Sequence, residues 1–416
     1  MTIETMITET EEAIEQQHKQ VNKMVEYNQE KVLHAFQAHR VSDSHFNPTT
    51  GYGYDDFGRD TLEAVYADIF KAEDALVRPQ LISGTHAITT TLFGVLRPGD
   101  ELLYISGEPY DTLEEVIGKE QGKDTGSLKD FGVSYHSVPL KDNGGFNHEA
   151  IEAAIGQDTK VVAIQRSKGY ADRPSFTIDE IESMITLVRE WKSDVIIFVD
   201  NCYGEFVEAK EPIEVGADLI AGSLIKNPGG GLARIGGYIA GREDLIEQCS
   251  FRLTAPGLGK ETGASLNSLQ EMYQGIFVAP HVVGEALKGA IFTAKFLGAL
   301  GFDTNPSFDA KRTDLIQSVN FSTSEQMVRF CQAIQQGSPI NSHVLPHPSP
   351  MPGYEDDVIM AAGTFIQGAS LELTADGPIR PPYTAFVQGG LTYAHVKIAV
   401  TRAVRHLVGE NAVQSR

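Results

Sequence analysis

"ADLIAGSLIKNPGGG" (217–231) sets one lysine, Lys226, between an apolar run and three consecutive glycines. The run 217–223 reads as a strand buried on both faces, and a lysine is rarely buried unless something pairs with it. The nearest upstream partner is Asp200, which closes the apolar run "DVIIFVD" (194–200). Both residues would then lie at the same edge of one sheet, the edge where parallel α/β sheets bind ligands. From these two alone an ordinary ion pair stays open.

Outward from that stretch, strand and helix patterns alternate from about 60 to 250. "DELLYI" (100–105) and "KVVAIQ" (160–165) are further short apolar runs, and "IDEIESMITLVREWK" (178–192) has its apolar residues at helical spacing. Alternation of this kind predicts an α/β fold with a mostly parallel sheet and helices on both sides. Residues 1–45 read as a polar helical arm with Val21, Met24, Val25, Val32, Leu33 and Phe36 loosely on one face. Such a helix is marginal alone, so it is expected to pack on the body or on a second subunit. From "GEALKGAIFTAKFLGALGF" (284–302) onward the pattern is less regular, and "SPINSHVLPHPSPMPGYEDD" (338–357) reads as a loop. The expected division is an arm over 1–45, a large domain over 46–285 and a smaller C-terminal α+β domain over 286–416.

The chain has 416 residues, 41% hydrophobic and 22% charged, which is ordinary for a globular protein. A formal net charge of −22 argues against nucleic acid and anionic membranes as partners, though a site can still be locally positive. No apolar run approaches the roughly 20 residues that span a bilayer, and the acidic start resembles no signal or transit peptide. The expectation is a soluble cytoplasmic protein. Three scattered cysteines without a CxxC are expected to be reduced thiols, and no metal spacing links His86, His343 and His347.

Other residues fall at the same sheet edge as Lys226. Ser83-Gly84-Thr85 opens an amphipathic helix, and free backbone N–H groups at such a start suit a phosphate, worth about 0.3–2 kcal/mol from the helix dipole. Tyr110 follows the next strand, and Ser223 stands three residues before Lys226. A phosphate cradle, a flat aromatic, a carboxylate and a lysine together match the needs of pyridoxal 5′-phosphate. The lysine bonds the aldehyde, the aromatic stacks on the ring and the carboxylate keeps the ring nitrogen protonated. At an effective dielectric near 20, opposite charges about 4 Å apart gain roughly 4 kcal/mol, enough to hold a weakly basic nitrogen charged.

The segments "SGTHAITTTLFGVLRPGDELL", "GEPYDT", "VDNCYGEF" and "ADLIAGSLIKNPGGGLARIGGYIAG" resemble, in order and spacing, the fold-type I PLP enzymes of the Cys/Met metabolism branch. "IQRSKGY", "LIKNPGGG" and "AAGTFIQGASLELTADGPIRPPYTAFVQGG" narrow the resemblance to the methionine γ-lyase-like, or aluminium-resistance, set. The resemblance implies Lys226 as the Schiff-base lysine, Asp200 at the pyridine nitrogen, Gly84, Thr85 and Ser223 at the phosphate, and Tyr110 on the ring and near the leaving group. It implies Tyr54 and Arg59 as residues lent to a neighbouring subunit's phosphate, hence a homodimer or homotetramer with shared active sites. It implies Arg380 for the substrate α-carboxylate.

Two departures stand out. Ile225 replaces a hydroxyl of the commoner Ser-x-Thr-Lys. Arg166-Ser167-Lys168-Gly169-Tyr170 replaces Ser-Pro-x-Asn-Pro, which leaves Arg166 and Lys168 either as contacts to an extra anionic group of the substrate, as a different phosphate clamp, or as solvated loop charges. The implied activity is a PLP-dependent lyase that eliminates a thiol from a sulfur amino acid, methionine γ-lyase-like or cystathionine β-lyase-like. Alternatives are a PLP aminotransferase or carbon–carbon lyase, and a weakly catalytic PLP-binding protein of stress tolerance. A nucleotide enzyme is disfavoured, since neither GxxxxGK[ST] nor a post-strand GxGxxG occurs.

Overall fold

The computed structural model describes residues 2–119, 125–351 and 354–408. In chain order the elements are α1 (Ile3–Ala38), α2 (Phe57–Phe70), β1 (Asp74–Arg78), α3 (Gly84–Val95), β2 (Glu101–Tyr104), α4 (Asp111–Ile117), β3 (Ser134–Ser137), α5 (His148–Ala154), β4 (Thr159–Gln165) and α6 (Ile178–Trp191). They continue with β5 (Ile196–Asp200), β6 (Leu219–Ser223), β7 (Gly237–Gly241), α7 (Glu243–Leu253), α8 (Leu269–Ala299), β8 (Asp303–Asn305), β9 (Gln317–Asn320), α9 (Ser324–Gln336), β10 (Val358–Ala361), β11 (Thr374–Pro378), β12 (Thr384–Gln388) and α10 (Tyr393–Val408).

The four apolar runs are strands of a seven-stranded sheet in the order β1-β7-β6-β5-β4-β2-β3. Strands β2 to β6 pair in parallel, and β7 runs antiparallel to β1 and β6. The pleat explains why these runs carry no polar alternation. Leu103, Val162, Ile197 and Ile220 enter one core, while Leu102, Val161, Ile196 and Leu219 enter the other, packed under α3 and α7. Successive residues thus face opposite, equally buried sides. Five further strands form an antiparallel sheet, β10-β11-β12-β9-β8, packed with α9.

The polar arm is one 36-residue helix, N-capped by Thr2, lying against α8. Ile14, Val21 and Val32 are buried there, whereas Leu33 is exposed. Asn28 of α1 donates from Nδ2 to the carbonyls of Phe206 and Glu208, tying the arm to the chain just beyond β5. Helix α8 starts earlier than the sequence pattern predicts and runs through Pro280. It corrects the expectation about apolar stretches, being long and apolar enough by composition to cross a membrane, with 72% of its most apolar window buried inside the protein. The Pro- and His-containing stretch 338–357 is a loop in its described part, closed by a bridge between Ser349 and Val358; residues 352 and 353 lie outside the described residues.

Candidate active site

Parallel strands bring their C-terminal ends to one edge, and there Gln165, Asp200 and Ser223 are the last residues of β4, β5 and β6. They line a cavity of about 410 Å3 with Ser83, Gly84, Thr85, Tyr110, Lys168, Lys226 and Arg380.

Helix α3 opens on this cavity. Ser83 caps it, its Oγ accepting from His86 N at 3.0 Å and its carbonyl from Ala87 N at 3.0 Å. The N–H groups of Gly84 and Thr85 belong to the first turn, which has no intrahelical acceptor for them. A Cβ on Gly84 would stand 3.2 Å from Ser223 Cβ and 3.3 Å from Cys202 Sγ, so the absence of a side chain keeps this pocket floor open. Ser223 is 1% exposed and its Oγ has no hydrogen-bond partner. An orphaned buried hydroxyl facing free N–H groups at a helix start is the donor set a phosphate monoester uses. The residues present therefore fit pyridoxal 5′-phosphate.

Tyr110 is fixed at both ends. Its hydroxyl lies 2.5 Å from Thr85 Oγ1, and its backbone N–H donates to Gln165 Oε1 at 2.8 Å. Burial, with Asp200 nearby, pushes the Tyr110 phenol up to about 12. Asp200 is 5% exposed, with Oδ1 accepting from Cys202 N at 3.1 Å. Burial raises its pKa, and the ammonium of Lys226 opposes that rise. Lys226 lies in the turn after β6, with Nζ 4.1 Å from the centroid of the Tyr203 ring. Tyr203 has φ of +71°, a left-handed conformation that a bulky side chain adopts at a cost of about 1–3 kcal/mol. Behind it, Glu205 is fully buried. Its Oε1 accepts from Tyr238 OH at 2.9 Å, its Oε2 has no partner, and burial raises its pKa to about 8.

The cavity thus gathers Lys226, Asp200, Gly84, Thr85, Ser223, Tyr110, Arg380 and Lys168. Arg380 stands at its rim with a side chain 45% exposed, Nη1 3.1 Å from Asp356 Oδ2. Tyr54 is 54% exposed and stacks on Tyr52, outside this chain's own cavity.

Two arginines are used differently from the sequence reading. Arg59 is 2% exposed and spends its guanidinium on the carbonyls of Gly53 and Gly263 and on Asp60, so in this chain it holds the turn before α2 and does not reach outward. Arg166 is neither a solvated loop charge nor a cavity residue. It is 0% exposed and its guanidinium meets Glu208 at 3.2 Å, Glu211 at 3.5 Å, Asn201 Oδ1 at 2.9 Å and Thr313 Oγ1 at 3.1 Å. The two acids that claim it lie more than forty residues away, and nothing in its own segment signals them.

Cavity residues that the sequence reading passed over are Gln165, Cys202, Tyr203, Tyr170 and Tyr354. Tyr203 had a signal, standing in the segment directly after the β5 carboxylate. Tyr170 and Tyr354 had none, since only the tertiary fold sets their rings 5.6 Å apart.

The methionine gamma-lyase family model matches residues 3–408. An uncharacterised protein of Bacillus subtilis, YnbB, is 65% identical over 396 residues, which covers 95% of this chain and 94% of that one. A solved structure from Listeria monocytogenes, provisionally named a cystathionine beta-lyase involved in aluminium resistance, is 63% identical with a TM-score of 0.95, covering 97% of this chain and 100% of that one. A carbon–sulfur lyase involved in aluminium resistance from Clostridium novyi NT is 49% identical with a TM-score of 0.94, covering 98% of this chain and 96% of that one.

Proposed function

The chain belongs to the methionine gamma-lyase family, and on that footing we propose that it is a pyridoxal-5′-phosphate-dependent carbon–sulfur lyase acting on a sulfur-containing amino acid, with methionine γ-lyase-like or cystathionine β-lyase-like activity. The observation that carries this reading is the meeting of Lys226, Asp200, the α3 start and the orphaned Ser223 hydroxyl in one cavity.

Gly84 and Thr85 N–H and Ser223 Oγ would hold the phosphate, and Lys226 Nζ is the amine that would receive the aldehyde. Asp200 would keep the ring nitrogen protonated, and Tyr110 would stack on the ring. Bound there, the cofactor supplies an electron sink for the charge left at Cα when its proton is removed. Lys226 Nζ, released when the substrate amine takes its place, would take that proton and return it along the carbon chain. The Tyr110 hydroxyl, held by Thr85, serves the departing sulfur. Tyr170, Tyr203 and Tyr354 line the remaining space and reduce its water content. Arg380 at the rim takes the α-carboxylate by a bidentate contact. The products are a thiol, a 2-oxo acid and ammonia, with one water consumed.

The surface around the turn before α2 supports a second copy docking there and lending Tyr54, since Tyr52, Tyr54, Phe57 and Leu266 are more than half exposed. Incubation of cofactor-loaded protein with methionine, cystathionine or cysteine, with 2-oxo acid measured, tests the reaction. Release from at least one is expected. No product from any of them, with cofactor bound, would overturn the lyase reading.

A further inference from the structure

A buried carboxylate joins the two sheets beside the cavity. Asp376, in β11 of the smaller sheet, is 3% exposed, and its Oδ1 accepts from the Tyr170 hydroxyl at 2.5 Å. Gln388 on β12 donates from Nε2 to its Oδ2 at 3.2 Å. Among the described residues no cation pairs with it. The titratable groups that face it are the phenols of Tyr170, Tyr203 and Tyr354 and the thiol of Cys331 on α9, each kept neutral by burial. Burial pushes the Asp376 carboxyl up to about 6, and the bonds from Tyr170 and Gln388 oppose that rise.

Tyr170 stands on the other side of this join. It lies in the segment that follows β4 of the large sheet, and its ring centroid is 5.1 Å from that of Phe386 and 5.6 Å from that of Tyr354. The ring belongs to the wall that the main cavity shares with a second one of about 350 Å3, a wall completed by Lys168, Ala171 and Arg380. Arg380 follows closely on the end of β11. Its N–H donates to the carbonyl of Pro378 at 3.0 Å, and its carbonyl accepts from the N–H of Tyr383 at 2.8 Å. Asp376 and Arg380 thus ride on one short segment. The charge-assisted bond between Tyr170 and Asp376 fixes that segment against the edge of the large sheet where Lys226 and Asp200 lie. Ser167 and Ser175 bond Asp314, and Lys168 donates to Ser318 Oγ at 2.9 Å, so the join has other ties when the Tyr170 bond is lost.

We propose that Asp376 is a positioning residue for substrate recognition: its bond to Tyr170 sets Arg380 where it can take the carboxylate of an α-amino acid held at the cofactor edge. This deepens the lyase reading and rests on its assignment of Arg380. Asp376 does not line the cavity and acts only through Tyr170 and the segment it shares with Arg380. Ionised, it holds the phenol by a bond to a full charge; protonated, it holds the phenol by a weaker neutral one.

The absorbance of the cofactor-loaded protein, titrated with glycine and with methylamine, tests this without turnover. Both amines can reach the aldehyde, but only glycine carries a carboxylate. The ratio of their dissociation constants therefore reports the Arg380 contact and cancels any general loosening of the site. Wild type should prefer glycine by about tenfold or more, the scale of one hydrogen bond to a charged group, and Arg380→Gln should remove the preference. Asp376→Asn and Tyr170→Phe should each lower it by about threefold or more. The wild-type preference should weaken as the pH falls through about 6, and Asp376→Asn should lose that pH dependence. Equal affinities in wild type, or a preference flat across that pH range, would overturn the proposal whether or not the variants fold. So would an undiminished preference in a folded Tyr170→Phe or Asp376→Asn, or one retained in Arg380→Gln, which would put the carboxylate elsewhere. A protein that shows the expected ratios but releases no 2-oxo acid would sink the lyase reading alone.

Discussion

Replacing Arg166 by methionine separates a structural cation from a substrate cation. Methionine keeps most of the volume, so the change is chiefly loss of charge and of donors. Glu208 keeps Lys311 at 2.9 Å and the N–H of Ile178, so it stays neutralised. Glu211 is worse placed. It is 0% exposed, and after the change it holds only the amide of Asn201 at 3.0 Å and the N–H of Phe206 at 2.9 Å, with no cation. Removing one partner of a buried ion pair costs about 3–5 kcal/mol. At about 2–4 °C per kcal/mol for a domain of 150–250 residues, the melting temperature should fall by about 6–20 °C. The assay is thermal unfolding with and without added cofactor, because ligand binding itself shifts the midpoint, followed by KM at a temperature where the variant is folded. KM should change less than about threefold, since the guanidinium does not line the cavity. A variant that melts within about 2 °C of wild type and has a KM raised about tenfold would refute the reasoning, showing Arg166 to be a substrate contact.

Ser223→Ala should leave the cofactor-free protein as stable as wild type, because the lost hydroxyl has no partner there. It should weaken pyridoxal phosphate binding by about ten- to a hundredfold, read by equilibrium dialysis, on the scale of hydrogen bonds to a charged group. Asp200→Asn removes a charge worth roughly 4 kcal/mol at 4 Å, so turnover should fall by about a hundredfold or more with the cofactor still attached, as its absorbance would show. Glu205 carries a pKa raised by burial to about 8, so the folded state holds its proton more tightly than the unfolded chain. Its stabilising share is complete below about pH 4.5 and disappears as the pH climbs through about 8, a loss on the order of 3–5 kcal/mol. Glu205→Gln should flatten that decline in pH-dependent denaturation, and an unchanged slope would count against a neutral Glu205.

The large sheet was legible because strands buried on both faces leave continuous apolar runs, as at 160–165 and 194–200, and Asp200 and Lys226 stood out against them. Strand β7 was not legible. "GYIAG" (237–241) is short and glycine-bounded, and its antiparallel pairing with both β1 and β6 is a tertiary fact. Helix α8 was seen only in its second half, because Pro280 interrupts the pattern although the surrounding packing carries the helix through it. The burial of Arg166 was not legible, because a charge in a loop-like segment gives no sign of burial when its partners, Glu208 and Glu211, arrive from far along the chain. The helix start at Ser83 was readable from its small residues, but the orphaned state of Ser223 Oγ needed coordinates.

Borohydride reduction of the cofactor-loaded protein, followed by peptide mapping, tests the central claim most directly. A single pyridoxyl-modified peptide bearing its tag on Lys226 is the predicted result. A tag on any other lysine, or no tag on a protein supplied with saturating cofactor, would contradict it.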